Sequence, residues 1–212
     1  MFWKGDRDLA SRIARVCVLF EDLRVECQGA RADEDIPLDA LSKSYRRFYF
    51  LRRSLVTLDE FCGALNRMNE IKEWKSYVER HDDKVRRQMW VEAVQFFNAK
   101  KQRFETVRGD IGAHYPEKAA AWAVDGLHAD TTGTFEIAYG DGTANAKLHF
   151  TTELVASVIL RTAPEYEGVS SGEEEAKFIR GIFDDVTEGW QHAVNAVHVV
   201  IAEYLAPRFR NA

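Results

Sequence analysis

The chain has 212 residues, of which 46% are hydrophobic and 30% are charged, the balance of an ordinary soluble globular protein. It contains no run of eighteen apolar residues and no apolar segment near its start, so we expect neither a membrane span nor a secretory signal. The three cysteines, Cys17, Cys27 and Cys62, lack CxxC spacing. This excludes a typical disulfide framework or zinc finger and predicts a reducing, cytoplasmic location.

The charge is distributed unevenly along the chain, whose net charge is −5. Residues 1–116 carry 22 Lys and Arg against 19 Asp and Glu, whereas residues 117–212 carry 7 against 15. The acidic total argues against indiscriminate binding of nucleic acid. An anionic ligand is expected to meet the N-terminal half, although ordinary scatter of surface charge would give the same imbalance.

The first half of the chain predicts three helices from apolar residues that recur every three or four positions. The first spans residues 6–28 and is expected to stop at Gly29. The second spans 38–69, and the third spans 71–108. Their predicted inward faces include Ile13, Val16 and Leu23, then Tyr45, Leu51, Leu55 and Leu58, then Trp74, Val85, Phe97 and Phe104. With a short connection at 69–71, the second and third helices must form an antiparallel hairpin.

The second half begins with a short predicted helix over 117–124. Alternating apolar residues around Gly140-Asp-Gly142 then predict a β-hairpin over 133–150, which needs a surface to dock on. Further helices are predicted over 152–160 and 173–206, the last with Ile201 and Tyr204 among its inward residues. The fold class is therefore predicted as mostly all-α, a single domain of long helices decorated by one β-hairpin.

The segment from Phe104 to Tyr115 holds the residues best suited to chemistry. Arg108 can bind a phosphate, and the imidazole of His114 titrates near neutral pH. Six residues along an unbroken helix leave the two side chains about 120° apart. A break at the intervening glycines, or a pair formed across a two-fold axis, would bring them together. The alternative is a helix C-cap in which Pro116 ends the helix and His114 meets the terminal carbonyls.

Three other groups carry weaker signals. The basic residues of the second helix are typical of a solvated face, and His192 and His198 of the last helix are expected to be partly buried structural residues. Asp184, Asp185 and Glu188 have acidic spacing, but no other element completes an oxygen site for a cation, so no metal is expected. The basic residues are Lys43, Arg46, Arg47, Arg53 and Arg67.

The segment Val107-Arg-Gly-Asp-Ile-Gly-Ala-His-Tyr115 resembles the signature of the HEPN superfamily, an Arg followed after four to six residues by a His at the end of a long helical hairpin. Arg108 and His114 match the Arg and the His, and Ile111 and Ala113 match the apolar and small positions. The resemblance covers residues 38–116. At one position the chain departs from the pattern, because Gly109 stands where a polar residue usually follows the Arg; Asp110 is a substitute, although its carboxylate repels a phosphate.

This resemblance implies metal-independent RNA cleavage without a cofactor, as in toxin–antitoxin and phage-defence effectors, with a composite site at a homodimer interface. Arg108 and His114 would be catalytic, Asp110 and Tyr115 would contact the substrate, and a cognate antitoxin is an implied partner. Apolar residues expected to be exposed beside the site, Phe96, Ile111 and Tyr115, favour the dimer. The alternative is a catalytically inactive, dimeric helical module for interaction or RNA binding, in which Arg108 and His114 only cap a helix.

Overall fold

A computed structural model describes most of the helical part of the chain. It covers residues 7–31, 40–80, 83–107, 121, 124–125, 135–140, 143–148 and 172–210. The helices are α1 (Arg7–Arg31), α2 (Ala40–Asn69), α3 (Lys72–Arg80), α4 (Lys84–Val107), α5 (Gly172–Val200) and α6 (Ala206–Arg210). The all-α class predicted from periodicity is confirmed. Within the described residues, no helix is both long enough and apolar enough to cross a membrane.

Helices α1 and α2 lie antiparallel and bury the faces that their periodicity predicted. Near one end, Arg12 donates to the carbonyl of Arg67, and near the other the Thr57 hydroxyl donates to Glu26. The prediction that Gly29 stops the first helix was wrong, because α1 continues to Arg31. Gly29 serves a close approach instead: a Cβ atom there would lie 2.5 Å from the Phe50 ring.

The prediction of one continuous third helix over 71–108 was also wrong, because α3 ends at Arg80 and α4 begins at Lys84. Asp83 caps the new helix, its Oδ1 accepting hydrogen bonds from the backbone N–H groups of Val85 and Arg86 at 3.0 and 3.4 Å. Such a cap satisfies donors that a helix start leaves without partners. The break resets the helical phase, so Val85, predicted to face inward, is 68% exposed.

Four long helices, α1, α2, α4 and α5, form the bundle. Helix α4 runs antiparallel to α2, since Asn69 meets Trp90 while Cys62 meets Phe97 farther along. It also runs antiparallel to α5 and the turn that follows it, where three successive pairs link Arg86 to Glu203, Phe96 to His192 and Lys100 to Asp185. The antiparallel pairing of the second and third predicted helices therefore holds for α2 and α4, with α3 folded between them.

The buried core is rich in aromatic rings. Two predictions about the exposure of aromatic side chains were wrong. Phe96, expected on the surface, is only 9% exposed and packs against Phe97 and Phe104. Tyr45, expected in the apolar face of α2, is exposed. The largest fully buried side chains are Trp74, Tyr204, Phe61, Phe97 and Phe104.

The last helix changes its winding near its end. Residues Ile201–Leu205 form a π-helical turn between α5 and α6. A π turn adds residues to each turn and rotates the side chains that follow. Ile201, the first residue of this turn and predicted to face inward, is exposed, whereas Glu203 and Tyr204 are buried.

Two short strands, β1 (Phe135–Gly140) and β2 (Thr143–Leu148), pair antiparallel within the predicted hairpin segment. Gly140 lies opposite Thr143 and Phe135 opposite Leu148, so the connection is two residues long. The docking surface expected for this hairpin and the predicted helix over 152–160 lie outside the described residues. Of the predicted helix over 117–124, only Ala121 and Val124 are described, and both are helical.

Candidate functional site

The motif singled out from the sequence follows directly after the last described residue of α4. Arg108, Asp110, His114 and Tyr115 all lie outside the described residues, which resume at residue 121. The structure therefore describes the helix that leads into the motif and the bundle end at which that helix stops.

The last turns of α4 are held firmly in the core. Phe104 is fully buried, with its ring centroid 6.4 Å from that of Phe97 and 6.5 Å from that of Phe96. Arg103 places its guanidinium 5.4 Å from the centre of the Phe178 ring of α5. Arg108 is four residues beyond Phe104 in the sequence.

The acidic group considered as a metal site is engaged in ion pairs. The buried Asp185 carboxylate lies 2.8 Å from Nζ of Lys100 and 3.0 Å from Nη1 of Arg103. Asp184 and Glu188 are exposed, and no group of three metal-ligating side chains occurs in the part of the chain that the structure describes. Asp185 therefore joins α4 to α5 rather than presenting its oxygens to a cation.

A cavity of about 410 Å³ opens between α1, α2 and α5 at the same end of the bundle. Its α5 residues flank Asp185 in sequence, which places it level with Lys100 and Arg103 of α4. Arg31 and Arg47 are exposed residues of its lining, and the remainder is largely apolar. The lining consists of Cys27, Ala30, Arg31, Arg47, Leu51, Ser54, Phe183, Val186 and Thr187.

Two polar groups of this cavity have different chemistry. The Ser54 hydroxyl is 1% exposed and, apart from its weak interaction with the Cys27 thiol, makes no hydrogen bond within the described residues. Burial raises the pKa of the neighbouring Cys27 thiol, although Ser54 and Arg31 act in the opposite direction. Cys27 is therefore a protonated thiol near neutral pH and not an activated nucleophile.

A carboxyl group next to the cavity lining has an unusual environment. Glu26 is 7% exposed, and burial raises its pKa to about 7, against the opposing effects of the Thr57 hydroxyl and of Arg53. Thr57 donates to Oε1 at 3.0 Å, and Arg53 lies 3.6 Å from the same oxygen. The other oxygen, Oε2, is buried without a hydrogen-bond partner among the described residues.

The basic face of α2 was expected to be a simple solvated surface, and several of its members have specific neighbours. Arg53 pairs with Glu26, and Arg46 lies 5.9 Å from the centre of the Phe50 ring. Arg47 lines the cavity. This face therefore contributes packing and one side of a cavity.

The two histidines of α5 differ from each other. His192 is half-buried and stacks on Phe96 with centroids 4.4 Å apart, which confirms its structural assignment. His198 is exposed, so the expectation that it is partly buried was wrong.

Sequence reasoning missed both the cavity and the buried carboxyl, although each left a signal. Glu26 follows Leu23 by three positions and so continues the apolar face of α1. Ser54 lies between Leu51 and Leu55 on the apolar face of α2. A polar residue on an apolar face must find a partner inside the protein or remain unsatisfied.

Comparisons with models of protein families, with curated proteins and with solved structures gave no match. The family resemblance therefore rests on the segment from Val107 to Tyr115.

Proposed function

We propose that the protein is a HEPN-like, metal-independent endoribonuclease in which Arg108 and His114 form the active site. The observation that carries this proposal is the antiparallel packing of α4 on α2, with the buried Phe104 four residues before Arg108 in the sequence. The HEPN resemblance expects its Arg and His at the end of such a helical pair. The core contacts of Phe104 give the site a rigid base, which positioned catalysis requires.

The proposed reaction uses a nucleophile that belongs to the substrate. His114 removes the proton of a ribose 2′-hydroxyl, whose oxygen bonds to the adjacent phosphorus while the bond from phosphorus to the 5′-oxygen breaks. The products are a 2′,3′-cyclic phosphate and a 5′-hydroxyl that receives a proton from an acid in the site. Arg108 binds the non-bridging oxygens and the charge that builds on them.

The proposal includes a homodimer in which each protomer contributes one Arg and one His. Asp110 and Tyr115 line the substrate path, and the cellular role is that of a toxin or phage-defence effector with a cognate antitoxin. Phe96 no longer supports the dimer, because its ring is buried within one chain. Ile111 and Tyr115 remain the apolar residues proposed for the interface, and light scattering at tens of micromolar protein should give twice the chain mass.

The decisive experiment is cleavage of single-stranded RNA in EDTA, with DNA of the same sequence as the negative substrate. His114→Ala should lower the rate about 10²–10⁴-fold, the usual contribution of a positioned acid or base. Arg108→Lys should restore only part of the activity lost in Arg108→Ala, because an ammonium lacks the planar fork of a guanidinium. His198→Ala removes an exposed imidazole near the opposite end of the bundle and should cleave like the unmodified protein.

Thermal melting distinguishes catalysis from capping. Catalytic residues can be replaced with little change in melting temperature, whereas capping residues cannot. If the unmodified protein never cleaves RNA and both variants lose stability, Arg108 and His114 cap the helix and the chain is an interaction or RNA-binding module. The departure at Gly109 makes Gly109→Asn a useful further variant, since restoring a polar residue should not lower the cleavage rate.

A further inference from the structure

The cavity between α1, α2 and α5 has no role in the reaction proposed above. At about 410 Å³ it falls within the size range of sites that bind small molecules. Its walls come from three helices of the bundle, so its shape is set by the fold.

The lining divides into an apolar part and a cationic part. Leu51, Phe183 and Val186 supply aliphatic and aromatic surface. Arg31 and Arg47 supply two exposed guanidinium groups, and the described residues that line the cavity include no acidic side chain. An apolar wall beside two cations is complementary to a molecule with an apolar body and one anionic group.

The Ser54 hydroxyl gives a second, independent indication of a ligand. It lines the cavity, is 1% exposed and has no hydrogen-bond partner among the described residues other than the Cys27 thiol, which bonds only weakly. Leaving a buried hydroxyl without a partner is unfavourable, and native structures rarely do so without a reason. A polar atom on a bound molecule would satisfy it.

We propose that this cavity binds a small amphipathic anion, an apolar ring system or short chain that carries one carboxylate, sulfonate or phosphate. The anionic group pairs with Arg31 and Arg47, the apolar body contacts Leu51, Phe183 and Val186, and Ser54 bonds to a polar atom of the ligand. Binding is non-covalent, since Cys27, with its raised pKa, offers no thiolate to attack the ligand. The site does not depend on the ribonuclease proposal.

The test uses two matched probes, 8-anilinonaphthalene-1-sulfonate and N-phenyl-1-naphthylamine, which share a ring system but differ in the sulfonate. Titration of the full chain should give one sulfonate probe per protomer, bound at least tenfold more tightly than the uncharged amine. Arg31→Gln together with Arg47→Gln should remove this preference. Arg24→Gln, on the same helix but outside the cavity, should retain it.

A second experiment fills the cavity with a larger side chain. Val186→Trp should abolish binding of both probes, because Val186 lines the cavity. That variant is interpreted only if its helical circular dichroism matches the unmodified chain. NMR spectra of the unmodified protein locate the bound probe without relying on any variant. Amide signals of Ser54, Val186 and their neighbours should shift on addition of the sulfonate probe. Shifts elsewhere, equal affinity for both probes, or unchanged binding in the double arginine variant would each overturn the proposal.

Discussion

Two helix–helix contacts of the bundle, here called seams, each bury one carboxyl group. Asp185 lies between α4 and α5, Glu26 lies between α1 and α2, and the two have different partners. At the seam between α4 and α5, Asp185 has two cations within 3.0 Å. Where α1 packs on α2, the Oε1 atom of Glu26 has the Thr57 hydroxyl at 3.0 Å and the Arg53 guanidinium at 3.6 Å. Its Oε2 atom has no partner among the described residues. Both carboxyl groups are buried to a similar degree, so the difference lies in their partners.

The comparison shows that burial alone does not determine what a carboxyl group does for a fold. A buried anion with close cations joins two helices, and removing it leaves cations without their partner. A buried carboxyl with few partners resists ionisation, so its pKa rises and its contribution to stability depends on pH. Two predictions test this distinction, and a third concerns a helix contact without a buried charge.

The largest effect should appear in the pH dependence of Glu26→Gln. The pKa of Glu26 is raised from 4.5 to about 7, so its protonated form favours folding below pH 4.5 and this stability is lost as pH rises toward 7. The free energy of unfolding of the variant, relative to the unmodified chain, should therefore increase by about 3 kcal/mol between pH 4 and pH 8. Urea denaturation across this range measures it, and parallel curves for the two proteins would show that Glu26 ionises normally.

Asp185→Asn makes the same isosteric change at the other seam and should act in the opposite direction. Loss of the carboxylate leaves Lys100 and Arg103 without their anion, and both are partly buried. We expect a loss of about 2 kcal/mol at pH 8, below the 3–5 typical of fully buried pairs because water reaches both cations. Denaturation at pH 8 provides the measurement, and a variant as stable as the unmodified chain would mean that the ion pairs contribute nothing.

A third seam, between α2 and α5, depends on shape rather than on charge. A Cβ atom at Gly189 would lie 2.9 Å from a methyl group of the buried Leu58, whereas one at Gly63 would meet nothing within 4 Å. Both glycines are in helices, where alanine is favoured by about 1 kcal/mol. Gly63→Ala should therefore raise the melting temperature, and Gly189→Ala should lower it by overpacking. Equal shifts in calorimetry would show that α5 can move away from α2.

Apolar periodicity predicted most helices well because each α-helix shows one face to the core, and the spacing of apolar residues records that face. It did not predict the break before Asp83, because His81 and Val85 both fit the helical period across it and a cap is a local event. It also missed the π turn that begins at Ile201, and it placed Ile201 in the core although that side chain is exposed. These local events decided where single side chains lie but left the fold class unchanged.

The candidate sites show a different limit. The Arg108 and His114 motif can be found by inspection because both residues lie in one short segment, yet their mutual geometry depends on backbone turns that spacing does not determine. For the cavity, the geometry is known from the structure but the residues cannot be found by inspecting the sequence. Cys27, Ser54 and Val186 come from three helices, so no local pattern indicates that they meet.

The ion pairs along α4 and α5 also govern how these helices can move. Arg86 binds Glu203 near one end, and Lys100 with Arg103 binds Asp185 near the other. The two points are fourteen residues apart on α4, roughly 20 Å along the axis. Sliding α5 by one helical turn would break both at once, as would rotating it about its own axis. Because the two contact points lie far apart along the axis, they oppose both sliding and rotation, so the two helices should move as one unit.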